Sequence, residues 1–342
     1  MATLSTIVII LLILMLALAF GIGANDETMA TLVGSRAVKL KVAVILGGVL
    51  VFVGVLFLSA SVGKTVGKSL LGPDVEYTVS MMLAILISTT IWLIVASKTG
   101  APISTTHSVV GSVFGIAVVW AIRYQVSFVE ALNWDKMGGV VLGWVLSPLF
   151  GYFGAYLFEL GTKKFMHSRK LGLDTLEGIE KKFVYFLIAA VCWTQISRGG
   201  NDSANALGIM YGLIESGGIE GENTVLIYTL VVLTGLMLTL GLVIVGKNVI
   251  KNVGNNLIEM RPSDAFSIQI STSIVIFVAT MLGLPVSGSH ILIFAVLGAG
   301  RVKGERPDKK TFRKMVISWV ITFPVAAILS ALCYLIFIPI FS

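Results

Sequence analysis

The chain is 342 residues long, 56% apolar and only 13% charged, with a formal net charge of +7 from 25 Lys and Arg against 18 Asp and Glu. A soluble domain carries about 25% charged residues, so this chain has too few to cover a water-facing surface. These numbers exclude a soluble enzyme, a nucleic-acid-binding domain and a disordered chain, and they point to a polytopic membrane protein with basic cytoplasmic loops.

Ten apolar stretches follow in chain order: 4–22, 42–60, 78–97, 106–122, 137–160, 183–197, 225–246, 268–284, 290–300 and 315–341. They are continuous and non-alternating, which predicts helices rather than barrel strands. The first lacks a preceding Lys or Arg, so it is expected as a retained helix rather than a secretory signal. As one helix, Leu4 to Ser35 would measure about 48 Å, longer than a hydrocarbon core of about 30 Å. The Gly-flanked pair Asn25-Asp26 is therefore expected within the membrane, where a helix can break. The same reasoning covers 183–214 and Asn201-Asp202. Residues 78–122 and 268–300 are expected as helical hairpins, re-entrant or spanning. Cys192 and Cys333 sit in apolar runs and read as small core residues.

Basic residues cluster at 36–41, 161–182 and 301–314, whereas Glu215, Glu220 and Glu222 stand without a basic neighbour. The positive-inside rule puts the three basic segments in the cytoplasm and both termini outside an inner, plasma membrane. His167 lies in the middle basic segment and is expected to be solvated.

The chain also repeats itself. Gly23-Ala24-Asn25-Asp26 recurs as Gly199-Gly200-Asn201-Asp202, and Gly63-Lys64-Thr65-Val66 as Gly246-Lys247-Asn248-Val249. Ala101-Pro102-Ile103-Ser104-Thr105-Thr106-His107 recurs as Leu284-Pro285-Val286-Ser287-Gly288-Ser289-His290, and Gly115 pairs with Gly298. Residues 1–160 and 183–342 are thus expected as two inverted-topology repeats joined by the basic linker 161–182, a design of secondary transporters. The Gly-x-x-x-Gly runs at Gly139–Gly143 and Gly208–Gly212 suit helix packing within the chain or a homodimer. The Gly-Lys-Thr and Gly-Lys-Ser steps near residue 65 lack the spacing of a phosphate-binding ATPase loop.

An intramembrane carboxylate is costly and marks an ion or substrate path, which selects Asp26 and Asp202. Ser104, Thr105 and Thr106, like Ser287, Gly288 and Ser289, follow a proline and open a helix. They either cap a turn or present a helix N-terminus to an oxyanion. Two Asp carboxylates and an oxyanion repel, and only Arg198 lies beside either motif. Small cations are then needed, and oxygen ligands suit Na⁺. Mutual stabilisation of cation and anion is symport by linkage. His107 and His290 are equivalent and are expected to donate hydrogen bonds behind the site or to relay protons.

The paired motifs Gly-Ala-Asn-Asp and Gly-Gly-Asn-Asp-Ser-Ala-Asn-Ala, with Pro-Ile-Ser-Thr-Thr-His, resemble those of the inorganic phosphate transporter (PiT) family over nearly the whole chain. The resemblance implies an all-α membrane symporter of phosphate with inverted repeats, broken helices and two hairpins. Some relatives carry sulfate. It implies phosphate contacts from Asn25, Asn201, Ser104, Thr105, Thr106, Ser287 and Ser289. It implies Na⁺ contacts from Asn25, Asp26, Asn201, Asp202, Ser104 and Ser287. Thr28, His107, Arg198, Asn205 and His290 would support them. The family pattern Asn-Asp-x-x-Asn-Ala keeps Asn205 in the second half, but the first half has Glu27, Thr28 and Met29. The second hairpin carries Gly288 where the pattern has Thr, which is expected to let backbone approach the anion. The function expected is phosphate import with Na⁺. An H⁺-coupled phosphate or sulfate permease and an anion channel are the alternatives. No nucleophile and base with a third partner are evident, so an enzyme with an organic cofactor is not expected.

Overall fold

The computed structural model describes residues 2–63, 66–99, 103–167, 173–215, 224–256, 260–305 and 308–341. The expectations on Lys64, Thr65, Ala101, Pro102, Glu220 and Glu222, and on the side chains of His167 and Glu215, lie outside the described residues.

Twelve α-helices make up the described chain: α1 (Ala2–Ala24), α2 (Ala30–Gly34), α3 (Leu40–Gly63), α4 (Val79–Thr99), α5 (Thr105–Tyr124), α6 (Trp134–His167), α7 (Leu173–Glu215), α8 (Thr224–Gly241), α9 (Lys247–Asn256), α10 (Pro262–Met281), α11 (Gly288–Lys303) and α12 (Lys309–Phe341). A π-helical turn, Leu242–Gly246, joins α8 to α9. Eight helices among the described residues are long and apolar enough to cross a membrane. Large apolar side chains such as Phe57, Leu157 and Ile336 face outward, while Thr89, Ser112, Gln195, Gln269 and Ser273 are buried. Lipid replaces water outside, so polar side chains gather where protein can satisfy them.

The first chain break falls where the sequence places it. α1 ends at Ala24, and Asp26 Oδ1 accepts from the backbone N–H of Thr28 at 2.8 Å. Such a local bond offers the backbone an alternative to the helix. The second break does not occur: α7 runs through Asn201-Asp202 without interruption. There Asp202 binds Arg198, one turn back on the same helix, at 2.8 Å. An i,i+4 pair of this kind supports the helix rather than competing with it.

The same packing occurs twice. α1 lies on α8 and α4, and correspondingly α7 lies on α3 and α10. Hairpin α4–α5 packs on α12, and hairpin α10–α11 on α6. The two sequence halves are therefore interleaved, each supplying the outer helix of the other's hairpin. Equivalent glycines permit equivalent contacts. A Cβ on Gly115 would lie 2.0 Å from Ala327 O, and one on Gly298 would lie 2.1 Å from Tyr152 O. Gly298→Ala is expected to lower stability by about 1–3 kcal/mol through overpacking. Thermal unfolding in detergent measures this, and an unchanged midpoint would contradict the contact.

Gly208 serves packing inside the chain, since a Cβ there would lie 2.8 Å from Val66 Cβ, whereas a Cβ on Gly139 would meet nothing within 4 Å. Arg36, Lys163 and Lys303, one from each basic segment, line a single cavity of about 960 Å³ with Glu159, Arg261 and Asp264. The three basic segments thus share one side of the molecule.

Candidate transport centre

The centre forms where the α1–α2 break, the middle of α7 and the tips of both hairpins meet. Two asparagines hold the tips. Asn25 Nδ2 donates to Ile103 O at 2.7 Å, and Ile103 N–H donates back to Asn25 Oδ1 at 3.3 Å. Asn201 Nδ2 donates to Leu284 O at 2.9 Å, and Val286 N–H donates to Asn201 Oδ1 at 3.2 Å. A side-chain amide paired at both ends with a stretch of backbone is a clamp. Asn201→Ala is expected to leave the buried Val286 N–H and the half-buried Leu284 C=O without this partner, costing about 1–3 kcal/mol. Hydrogen exchange at Val286 should then rise, with Asn25→Ala acting likewise at Ile103. Unchanged exchange in both would count against the clamp.

The hairpin tips touch each other. Thr106 Oγ1 donates to Val286 O at 3.2 Å, and the His107 and His290 rings stand 4.8 Å apart. Each His has an aromatic neighbour: His107 stacks on Trp144 at 3.8 Å, and His290 meets Trp319 at 4.2 Å. Ser104 and Ser287 cap α5 and α11, accepting from the N–H groups of His107 and His290 at 3.2 and 3.4 Å. Ser104 Oγ also pairs with His107 Nδ1. Among the described residues, the N–H groups of Thr105, Thr106, Gly288 and Ser289 meet no protein acceptor. These are the open donors of two helix N-termini, where the helix dipole favours negative charge.

A buried ion cluster lies beside them. Asp26, Glu27, Asp202 and Arg198 are all at most 5% exposed. Arg198 Nε donates to Asp202 Oδ2 at 2.8 Å. Its Nη1 and Nη2 donate to the two oxygens of Glu27 at 2.6 and 3.2 Å. Nη1 also donates to Thr28 Oγ1 at 3.2 Å and lies 3.5 Å from Asp26 Oδ1. Asp26 accepts from Thr28 Oγ1 at 2.7 Å and from Gln195 Nε2 at 2.7 Å. Among the described residues no three acidic, His or Cys side chains converge as on a metal ion. The carboxylates converge on the guanidinium instead. Asn205 Nδ2 donates to Asp202 O at 3.2 Å and reaches the Thr105 and Thr106 hydroxyls at 3.5 Å. The oxygens Gln195 Oε1 and Asn205 Oδ1 are buried with no donor among the described residues.

The model of the phosphate transporter family matches residues 22–330, which contain every residue of this centre. The chain belongs to the phosphate transporter family. Among similar proteins of this family, a candidate phosphate permease of Pyrococcus abyssi is 31% identical over 93% of this chain and 94% of its own length. Another, from Thermococcus kodakarensis, is 31% identical over 98% of each. A solved structure, that of a sodium-dependent phosphate transporter, aligns with a TM-score of 0.81 at 27% identity, covering 97% of this chain and 98% of its own. This phosphate transporter family member is thus a multi-pass membrane transporter and not an enzyme.

Within this family frame, every residue singled out by sequence reaches the centre, but several stand in unexpected surroundings. The space beside Gly288 is filled by Arg198 rather than left open: a Cβ there would lie 2.9 Å from Arg198 Cζ and Nε. Arg198 itself, expected at the margin, bridges all three carboxylates. Glu27 and Gln195 were not among the sequence candidates. A polar Gln inside the apolar run 183–197 was a signal for one. The acid in one Asn-Asp motif and the base beside the other were a signal for the second.

Proposed function

We propose that the chain is a secondary symporter importing inorganic phosphate with Na⁺ across the plasma membrane. The meeting of two helix N-termini with open N–H groups carries this reading. Their four amides, with the hydroxyl of Thr105, suit the oxygens of a tetrahedral anion. Asn25, Asn201, Ser104 and Ser287 act here mainly by fixing the two tips. Three carboxylates against one guanidinium leave two negative charges in excess before any anion enters. In a low-dielectric interior an added oxyanion then requires cations. Asp26 and Asp202, with the donor-free oxygens of Gln195 and Asn205, are the proposed Na⁺ ligands. The duplicated packing supports two inverted repeats rocking around a fixed centre. The shared side of the three basic segments supports a cytoplasmic face there. The sodium-dependent relative supports Na⁺ as the coupling ion.

H⁺ coupling is a second reading, favoured by one feature: the adjoining His107 and His290 rings, with His290 Nε2 buried and lacking a partner among the described residues. Uptake of labelled phosphate into proteoliposomes separates the two. An inward Na⁺ gradient should drive uptake, with sulfate competing poorly. Uptake driven by a pH gradient alone selects H⁺, and uptake indifferent to both gradients rejects symport.

A further inference from the structure

Glu27 sits at an unspecified position of the first Asn-Asp motif, and its partner Arg198 comes from the other half of the chain. Both are buried, Glu27 completely. Glu27 takes both terminal nitrogens of the guanidinium, the Ser289 hydroxyl also bonds its carboxylate, and Asp26 stands close by. Gly288 leaves the space that the guanidinium fills. The pair therefore links the α1–α2 break, α7 and the α11 tip at one point.

A buried carboxylate needs a counter-charge. Na⁺ or H⁺ can supply one and then leave with the cargo. A guanidinium cannot leave, and it does not lose its proton in a protein. We infer that Arg198 is a tethered counter-cation for Glu27, and that the pair fixes how many mobile cations accompany each phosphate. The inference rests on the symport reading above. Glu27 alone would demand one more mobile cation, and Arg198 alone would spare one. Together they cancel, leaving the count to Asp26 and Asp202. The bidentate geometry holds the cancellation in place.

The test uses the full chain in proteoliposomes and measures charge moved per phosphate, from reversal potentials of labelled phosphate flux. Wild type is compared with Glu27→Gln, Arg198→Gln and the double variant. Glu27→Gln should move one positive charge fewer per phosphate, Arg198→Gln one more, and the double variant the same as wild type. Glu27→Gln preserves side-chain shape, so it and the double variant decide the matter even where Arg198→Gln does not fold. An unchanged ratio in Glu27→Gln, or a double variant that fails to restore the wild-type ratio, overturns the inference. Absence of phosphate flux in wild type would reject the cargo reading alone. The cations bound per chain at saturation, counted with labelled Na⁺ and by proton uptake, then decide the inference. They should fall by one in Glu27→Gln and recover in the double variant, and an unchanged count overturns it.

Discussion

Asp26→Asn should fold and yet lose coupled uptake, with apparent Na⁺ affinity falling roughly tenfold to a hundredfold. The carboxylate accepts from Thr28 N–H, Thr28 Oγ1 and Gln195 Nε2. An Asn can keep its oxygen on the Thr28 N–H and turn its NH₂ toward Gln195. Gln195 can then rotate to present Oε1, which has no donor among the described residues, giving up its longer bond from Nε2 to Gly47 O at 3.3 Å. The bonds to Asp26 are repaired, but the charge is not. Hydrogen bonds to a charged group are worth about 1.5–3 kcal/mol, and each 1.4 kcal/mol is about tenfold in affinity. Phosphate uptake against Na⁺ concentration, alongside thermal unfolding, separates the two effects. Wild-type Na⁺ dependence in this variant would remove Asp26 from the cation path.

Gly288→Val should be the most damaging change at the hairpin tip. Its Cβ would lie 2.9 Å from the guanidinium carbon of Arg198, so the guanidinium must move. Moving it breaks the bonds to Asp202 and Glu27 together. Breaking a buried ion pair costs about 3–5 kcal/mol, because an uncompensated charge stays behind. Thermal unfolding in detergent should show a lowered midpoint, and uptake should be lost. Gly288→Ala should lie between Val and wild type. A midpoint unchanged in Val would mean that the guanidinium has other room.

The broad architecture was legible because lipid imposes long apolar runs, and most of the ten stretches became helices close to their expected limits. Boundaries failed where polar residues face inward. α10 starts at Pro262 and not near 268, since Ser263, Asp264, Ser267 and Gln269 are buried. The local signal was present: Pro262 stands at the helix start and Asp264 Oδ2 accepts from Arg261 N–H at 2.8 Å. α7 extends beyond 183–214 at its charged N-terminal end, and α9 carries the chain on after 246. The symmetry of the motifs suggested symmetric breaks. The second break is absent because Arg198 gives Asp202 a partner along the helix, whereas Asp26 turns to Thr28. The clamps made by Asn25 and Asn201 were not legible, since their partners are backbone groups of distant segments. Their equivalent positions did announce one shared role.

Phosphate symport through this centre requires the anion to bind between the two hairpin tips. A density map of the chain in lipid nanodiscs with phosphate and Na⁺ tests it. The prediction is tetrahedral anion density between the N-termini of α5 and α11, within hydrogen-bond reach of the N–H groups of Thr105, Thr106, Gly288 and Ser289. Anion density confined to the basic cavity around Arg36, Lys163 and Lys303, with the hairpin tips empty, would contradict it.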